Sequence, residues 1–366
     1  MSKITKHNLY QRQTTLTEIG ENGQRKLQNA SIVVVGCGGL GCVAAVYLAA
    51  SGIGNIHLVD FDTVDVSNLH RQVFYKTEDV GKSKSAILAK YIQSISPFVT
   101  VSFSNKAVSK SNVFDLIDDA EIVLDCTDSL PIKYLLNDAC VIKDKILVYG
   151  SLYKFDGYVA TFNLLDEKGV RSTNLRDAFP EIPTENIPNC SEMGTLNTIV
   201  GIIGLMQANE VLKIVTGIGS PLENQLLIYN SLDNSQFKMK LKPNFTKEKI
   251  SKVFETENYE DLSCEINDDF QISQEDFKKV LKNRPNDLKI ISVIENIHQE
   301  LPFQVSEKVP MSIFQDWLSG EINISKEIIF VCNRGITSMT AVKLFKELFP
   351  AGIAKSLEGG VADYEY

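Results

Sequence analysis

Apolar residues fall along this chain in short blocks of two kinds. Residues 32–35 and 56–59 are continuous and rich in branched side chains, the pattern of parallel strands buried on both faces. Residues 122–124 and 146–148 repeat it. Between these blocks, residues 43–50, 84–94 and 132–143 carry helical spacing. The alternation predicts an α/β fold with an open, mostly parallel sheet and helices on both faces. Residues 157–165 and 225–229 predict later strands that extend the sheet, and an apolar helix begins near Thr195. From residue 242 to 269 the chain turns polar and charged and reads as a linker. Beyond it, residues 272–277 open a helix, residues 289–293 and 327–331 read as strands, and residues 339–348 return to helical spacing. The expected organisation is a first domain over residues 1–245, a linker over 246–270 and a smaller α/β domain over 271–366.

Gly36, Gly38 and Gly41 form G-x-G-x-x-G directly between the first strand and the first helix. Such a turn lets phosphates approach the backbone, and the helix N-terminus adds free N–H groups and partial positive charge. Asp60, at the end of the second strand, stands where an acid can bind ribose hydroxyls. The motif alone suits a dinucleotide or ATP. Asn68, Arg71, Gln72, Lys82 and Lys84 follow closely, supplying more positive charge than a nicotinamide pyrophosphate needs, so ATP is the expected nucleotide.

The pieces Tyr10-Gln-Arg-Gln13, Gly36-Cys-Gly-Gly-Leu-Gly41, Asp60-Phe-Asp62, Ser67-Asn-Leu-His-Arg-Gln72, Val80-Gly-Lys-Ser-Lys84 and Asp125-Cys-Thr-Asp128 stand in that order. With Asn137-Asp-Ala-Cys140, Tyr149-Gly-Ser151 and Asn189-Cys-Ser-Glu192, they resemble the MoeB/ThiF-type sulfur-carrier adenylyltransferases as far as about residue 240. The resemblance implies a Rossmann-like domain that uses ATP to adenylate the terminal carboxylate of a ubiquitin-like carrier protein ending in Gly-Gly, releasing pyrophosphate. It further implies that Gly36, Gly38, Gly39, Gly41, Asp60 and Asp62 line the nucleotide, and that Asn68, Arg71, Gln72 and Lys84 hold ribose and phosphates. Asp128 would bind magnesium, and Arg12 would reach the ATP of a partner subunit in a homodimer. Cationic groups of this kind neutralise the approach of a carboxylate to an α-phosphate and fix it in line. The carboxylate is already ionised at neutral pH, so no general base is required.

In the second domain Cys332 ends a strand and opens the loop Cys332-Asn-Arg-Gly-Ile-Thr-Ser338 before a helix. Backbone N–H groups and the helix dipole favour a thiolate or persulfide there, and Arg334 adds charge. With Ser356-Leu-Glu-Gly-Gly360 this region resembles a rhodanese domain, although Ile291-Ser-Val-Ile-Glu295 departs from the usual front half. The resemblance implies a Cys332 persulfide that passes sulfur to the adenylated carrier to give a thiocarboxylate, fed by a sulfur donor such as a cysteine desulfurase. Cys190, in Pro188-Asn-Cys-Ser-Glu192, is a second candidate for covalent chemistry with the carrier. Members of the family commonly hold zinc with two C-x-x-C pairs. Here those positions fall at about Asn174 and Asp177 and near Phe245 and Glu248, so no zinc ligands, and no zinc, are expected.

The 366 residues are 44% hydrophobic and 23% charged, with a formal charge of −9, which argues against nucleic-acid binding by bulk electrostatics. Residues 1–13 are too polar for a signal peptide. The most apolar run, residues 199–206, contains Gly201 and Gly204 and is too short for a membrane span. Seven cysteines without a framework suit a reducing cytoplasm. Two other classes use the same features: a nicotinamide-dependent oxidoreductase, which has no use for Arg12, Arg71 and Lys84 together, and an adenylyltransferase whose second domain only docks a partner. The carrier's pathway, molybdopterin or thiazole synthesis among others, stays open.

Overall fold

The computed structural model describes residues 4–182, 194–259, 270–284, 287–320, 322, 324, 326–333, 335–361 and 364. The chain divides into two compact units, Met1–Glu260 and Asp261–Tyr366.

The first unit is built on eight strands in the order β3-β2-β1-β4-β5-β6-β7-β8. The strands are β1 (Ser31–Val35), β2 (Asn55–Val59), β3 (Thr100–Ser104), β4 (Ile122–Asp125), β5 (Ile146–Tyr153), β6 (Asp156–Phe162), β7 (Gln225–Asn230) and β8 (Gln236–Lys240). The first five are parallel, and β6 to β8 add an antiparallel extension. The helices are α1 (Lys6–Thr14), α2 (Gly20–Asn29), α3 (Gly39–Ala50), α4 (Lys84–Ile95), α5 (Val113–Ile117), α6 (Leu130–Ile142), α7 (Leu175–Ala178), α8 (Asn197–Thr216) and α9 (Lys247–Thr256). Two apolar clusters lie on opposite faces of the sheet. One joins Ile32 and Val34 to α3, α4 and α8; the other joins Val33 and Val35 to α6 and Leu175. Alternate residues of β1 thus feed both, as a strand covered on two sides requires.

Helix α8 is long and apolar enough to cross a bilayer by length and composition, and it runs well beyond the apolar run anticipated at 199–206. It lies against α3 and the β5–β6 strands, with Ile199, Val200, Ile203, Ala208 and Val211 buried. Gly204 does not interrupt it. A Cβ there would stand 2.7 Å from the Leu40 carbonyl oxygen, so the glycine lets α3 and α8 pack closely.

The stretch expected to be linker opens with α9, capped by the Thr246 hydroxyl. Ile250 is buried, and the Tyr259 hydroxyl donates to Asp138 Oδ2 over 2.6 Å. Residues 246–259 therefore belong to the first unit.

The second unit holds five parallel strands in the order β11-β10-β12-β13-β9: β9 (Gln271–Ile272), β10 (Leu288–Ser292), β11 (Glu307–Lys308), β12 (Glu327–Val331) and β13 (Ala354–Leu357). Helices α10 (Gln274–Asn283), α11 (Phe314–Leu318) and α12 (Ile336–Leu348) accompany them. Phe277, Phe314, Phe330 and Phe345 are completely buried in its core.

Candidate functional site

The parallel strands β1, β2 and β4 end together, and the polar groups cluster at that edge. Gly36 adopts φ of +89°, and a Cβ on it would stand 2.7 Å from the Cys126 carbonyl oxygen. A Cβ on Gly41 would fall 1.7 Å from the Gly36 carbonyl oxygen, so these two glycines exist for the turn itself. Gly39 is bare for another reason: its Cβ would meet Val200 on α8 at 2.3 Å. Of the four, Gly38 is open, with only the Gln72 amide nitrogen within reach among the described residues, at 3.5 Å. Gly38 is therefore where a phosphate can come nearest the backbone, next to the free N–H groups that begin α3.

Asp60 braces this turn. Its Oδ2 accepts the Cys37 N–H at 2.6 Å and its Oδ1 accepts the Asp62 N–H at 2.8 Å. Burial pushes its carboxyl up, against the opposing pull of Lys84 and these N–H groups. Lys84, at the start of α4, is almost completely buried and donates to Asp62 Oδ2 over 2.9 Å. One of its three N–H bonds is thus engaged by a carboxylate. Tyr75 ties the pieces together, its hydroxyl donating to the Cys37 carbonyl over 2.6 Å. Gln72 is 3% exposed, and its Oε1 is a buried acceptor with no donor among the described residues. Such an atom costs free energy unless a ligand supplies a proton.

Asn68 and Arg71 lie on the same loop. Arg71 Nη1 bonds the Ser67 carbonyl at 3.0 Å and His70 Nε2 at 3.1 Å, and among the described residues no carboxylate pairs with it. Asn68 donates to Ser67 Oγ at 3.3 Å. Asp128 follows β4 on the same edge, exposed and without an ion pair among the described residues. A lone carboxylate beside a phosphate pocket fits magnesium, which takes one or two carboxylates and fills its other positions with phosphate oxygens and water. The structure thus gathers Gly36, Gly38, Gly39, Gly41, Asp60, Asp62, Asn68, Arg71, Gln72, Lys84 and Asp128 at one edge. It does not bring Arg12 into that group: Arg12 is exposed in the last turn of α1. Cys190 and Arg334 lie outside the described residues.

A buried knot beneath the Asp128 loop was not anticipated. Lys133 and Asp125, both sealed from solvent, pair at 3.2 Å, and Lys133 also donates to the Gly150 carbonyl over 2.7 Å. Thr127 donates to Asp125 through its N–H and its hydroxyl, while Gln207 on α8 donates to the Asp125 carbonyl. The signal in the sequence was an acid closing an apolar strand with a lysine eight residues on, one turn into the next helix.

Around Asn174, Asp177 and Phe245, where no zinc ligands are expected, the chain forms a hydrogen-bonded clasp. Asn174 and Asp177 form a capping box on α7. Asp177 Oδ2 accepts the Asn174 N–H and Nδ2, and Oδ1 accepts the N–H groups of Asn244 and Phe245 at 2.6 and 2.8 Å. Asn174 Nδ2 also donates to the Phe245 carbonyl at 3.0 Å. Arg176, between Asn174 and Asp177, is buried against Asp138 with bonds of 2.7 to 3.0 Å.

In the second unit Cys332 directly follows β12 and is 4% exposed. Its Sγ accepts the Gly335 N–H at 3.1 Å. Gly335 has φ of +84°, with the Gly359 and Gly360 backbone close behind it. Burial raises the thiols of Cys37, Cys42, Cys126 and Cys140 in the first unit, with Cys42 at about 12. They are packing residues of the first unit.

An open α/β sheet with a glycine turn and converging cations at its carboxyl edge defines a nucleotide-binding protein of the doubly wound class. The profile of the ThiF family matches residues 10–250, and the chain belongs to that family. It is 40% identical over 236 residues to the sulfur carrier protein adenylyltransferase of Thermus thermophilus, covering 64% of this chain and 87% of that protein. It is 32% identical over 386 residues to the adenylyltransferase and sulfurtransferase MOCS3 of Xenopus laevis, covering 96% of this chain and 84% of that one. Among solved structures, E. coli MccB with MccA-N7isoASN superposes with a TM-score of 0.58 at 20% identity, over 66% of this chain and 74% of MccB. That likeness is one of fold.

Proposed function

We propose that this chain adenylates the C-terminal Gly-Gly carboxylate of a ubiquitin-like sulfur-carrier protein and that its second unit supplies sulfur to the activated carboxylate. The observation that carries the reading is the edge holding Gly38, the unpaired Gln72 acceptor, Lys84 and Asp128 together. A ribose hydroxyl provides the donor that Gln72 Oε1 lacks, and Asp60 stands beside it. Lys84 retains N–H bonds for phosphate oxygens beyond the one given to Asp62, and Arg71 and Asn68 close over the polyphosphate from their loop. Magnesium on Asp128 would supply charge neutralisation between phosphate oxygens. The carrier carboxylate attacks the α-phosphorus, the bond to pyrophosphate breaks, and a carboxyl-AMP anhydride forms.

Arg12, exposed on α1 and without an ion pair among the described residues, is assigned to the ATP of a partner subunit in a homodimer. Cys332 is assigned to carry a persulfide from a donor such as a cysteine desulfurase, and Cys190 to meet the carrier covalently. The match over 96% of this chain to an adenylyltransferase and sulfurtransferase supports joining both activities in one chain, with adenylation in the first unit and sulfur handling in the second.

ATP–pyrophosphate exchange stimulated by a Gly-Gly-ended carrier tests the reading. Asp128→Ala and Arg71→Ala should abolish exchange, while Cys332→Ala keeps it and stops thiocarboxylate formation. Mixing Arg12→Ala with Asp128→Ala should restore exchange, because one site of each heterodimer is intact. Full exchange in either Asp128→Ala or Arg71→Ala would sink the site assignment.

A further inference from the structure

Behind Cys332 runs a line of polar atoms closed to solvent. Sγ lies 3.2 Å from Ser338 Oγ, that oxygen lies 2.7 Å from Ser356 Oγ, and Ser356 Oγ lies 3.2 Å from the Gly335 carbonyl oxygen. Both serines are completely buried. Ser338 comes from the first turn of α12 and Ser356 from β13, so the strand and the helix that flank the cysteine loop converge behind the sulfur.

Each hydroxyl has one proton to give and lone pairs to receive, so the line has two consistent arrangements. With Cys332 as a thiol, the sulfur donates to Ser338, Ser338 to Ser356, and Ser356 to the Gly335 carbonyl. With the sulfur anionic, Ser356 donates to Ser338 and Ser338 donates to Sγ, which already accepts the Gly335 N–H. Only two hydroxyl rotations separate them. The cysteine's proton leaves to solvent, and none is passed along the line.

We propose that Ser338 and Ser356 are positioning residues that hold Cys332 as the anion able to accept sulfur, deepening the assignment of Cys332 under the proposed function. With thiosulfate as donor, the Cys332 thiolate forms an S–S bond to the outer sulfur, and the donor's S–S bond breaks with its electron pair leaving on sulfite. No external oxidant or reductant enters. A hydroxyl aimed at the sulfur from behind stabilises the charge without blocking the approach of the donor.

The test uses the full chain and follows alkylation of Cys332 by iodoacetamide across pH, read on the peptide that contains it. Ser338→Ala should slow alkylation at pH 7 by roughly ten- to a hundredfold, the worth of one hydrogen bond to a charged group. The limiting rate at high pH should be unchanged. Ser356→Ala should act in the same direction by roughly two- to threefold, since it removes support rather than the donor itself. Wild-type pH profiles in both variants would overturn the proposal, as would a loss of equal size at every pH, which marks altered packing. Should Ser338→Ala fail to fold, Ser356→Ala alone decides on the same two criteria. Thiocarboxylate formed by Cys332→Ala would refute the assignment of Cys332 to sulfur transfer, whereas the alkylation profile would still report on the hydroxyls.

Discussion

Asp177→Ala isolates what the clasp is worth. The substitution removes the acceptor of four N–H groups, two from Asn174 and one each from Asn244 and Phe245. Asn174 is 4% exposed, so its donors cannot turn to water, whereas Asn244 is exposed and can. At about 1.5 kcal/mol for each bond to a charged acceptor, the two Asn174 donors set a loss of about 3 kcal/mol, and the outer pair adds little. For a unit of this size, a loss of that order lowers Tm by about 6–12 °C. Scanning calorimetry of the full chain should show the shift in the first unit's transition. Wild-type Tm should be the same with and without a chelator, and metal analysis should find no stoichiometric zinc. A shift corresponding to less than about 1 kcal/mol, or one zinc per chain with a chelator-sensitive Tm, would refute the reasoning.

Gly38→Ala should fold with wild-type Tm and raise KM for ATP, because only the Gln72 amide nears its Cβ position; Gly41→Ala should fail to fold, because of its 1.7 Å clash with the Gly36 carbonyl oxygen. Equal stability of the two variants would contradict this division of labour. Lys133→Met strands the buried Asp125 carboxylate and should cost about 3–5 kcal/mol, read as a lower urea midpoint, and a loss below about 1 kcal/mol would show the pair to be unimportant. In the second unit, the Lys289 ammonium and the Trp317 N–H hold Glu307 below the usual carboxylate range. That contribution is fully present above the unfolded pKa of about 4.3 and is lost as pH falls through the lower folded value. The stability advantage of wild type over Glu307→Gln should therefore be constant near neutrality and vanish in acid; a difference that persists unchanged in acid would contradict it.

Strands β1, β2, β4 and β5 were legible because burial on both faces leaves an unbroken apolar run, and the glycine turn was legible because its spacing is local. Edge strand β3 was missed because it is mostly exposed and carries no such run. Helix α9 hid within a charged stretch, since only Ile250 along it is fully buried and its charged residues face water. The site divided along the same line. Asp60, Gln72 and Lys84 follow the turn closely in sequence, but the Lys133 knot reaches from Asp125 to Gln207, and the clasp joins Asp177 to Phe245. Those pairings depend on contacts between distant segments that no periodicity encodes. Gly39 shows a subtler gap: its place in the motif was plain, yet its missing side chain leaves room for Val200.

That shared space makes two distant positions a single steric unit. A methyl group at 39 fits only if residue 200 shrinks, so substitutions here can succeed in pairs where each alone fails. An engineer who tries to change nucleotide preference by reshaping the loop must therefore redesign the helix behind it in the same step.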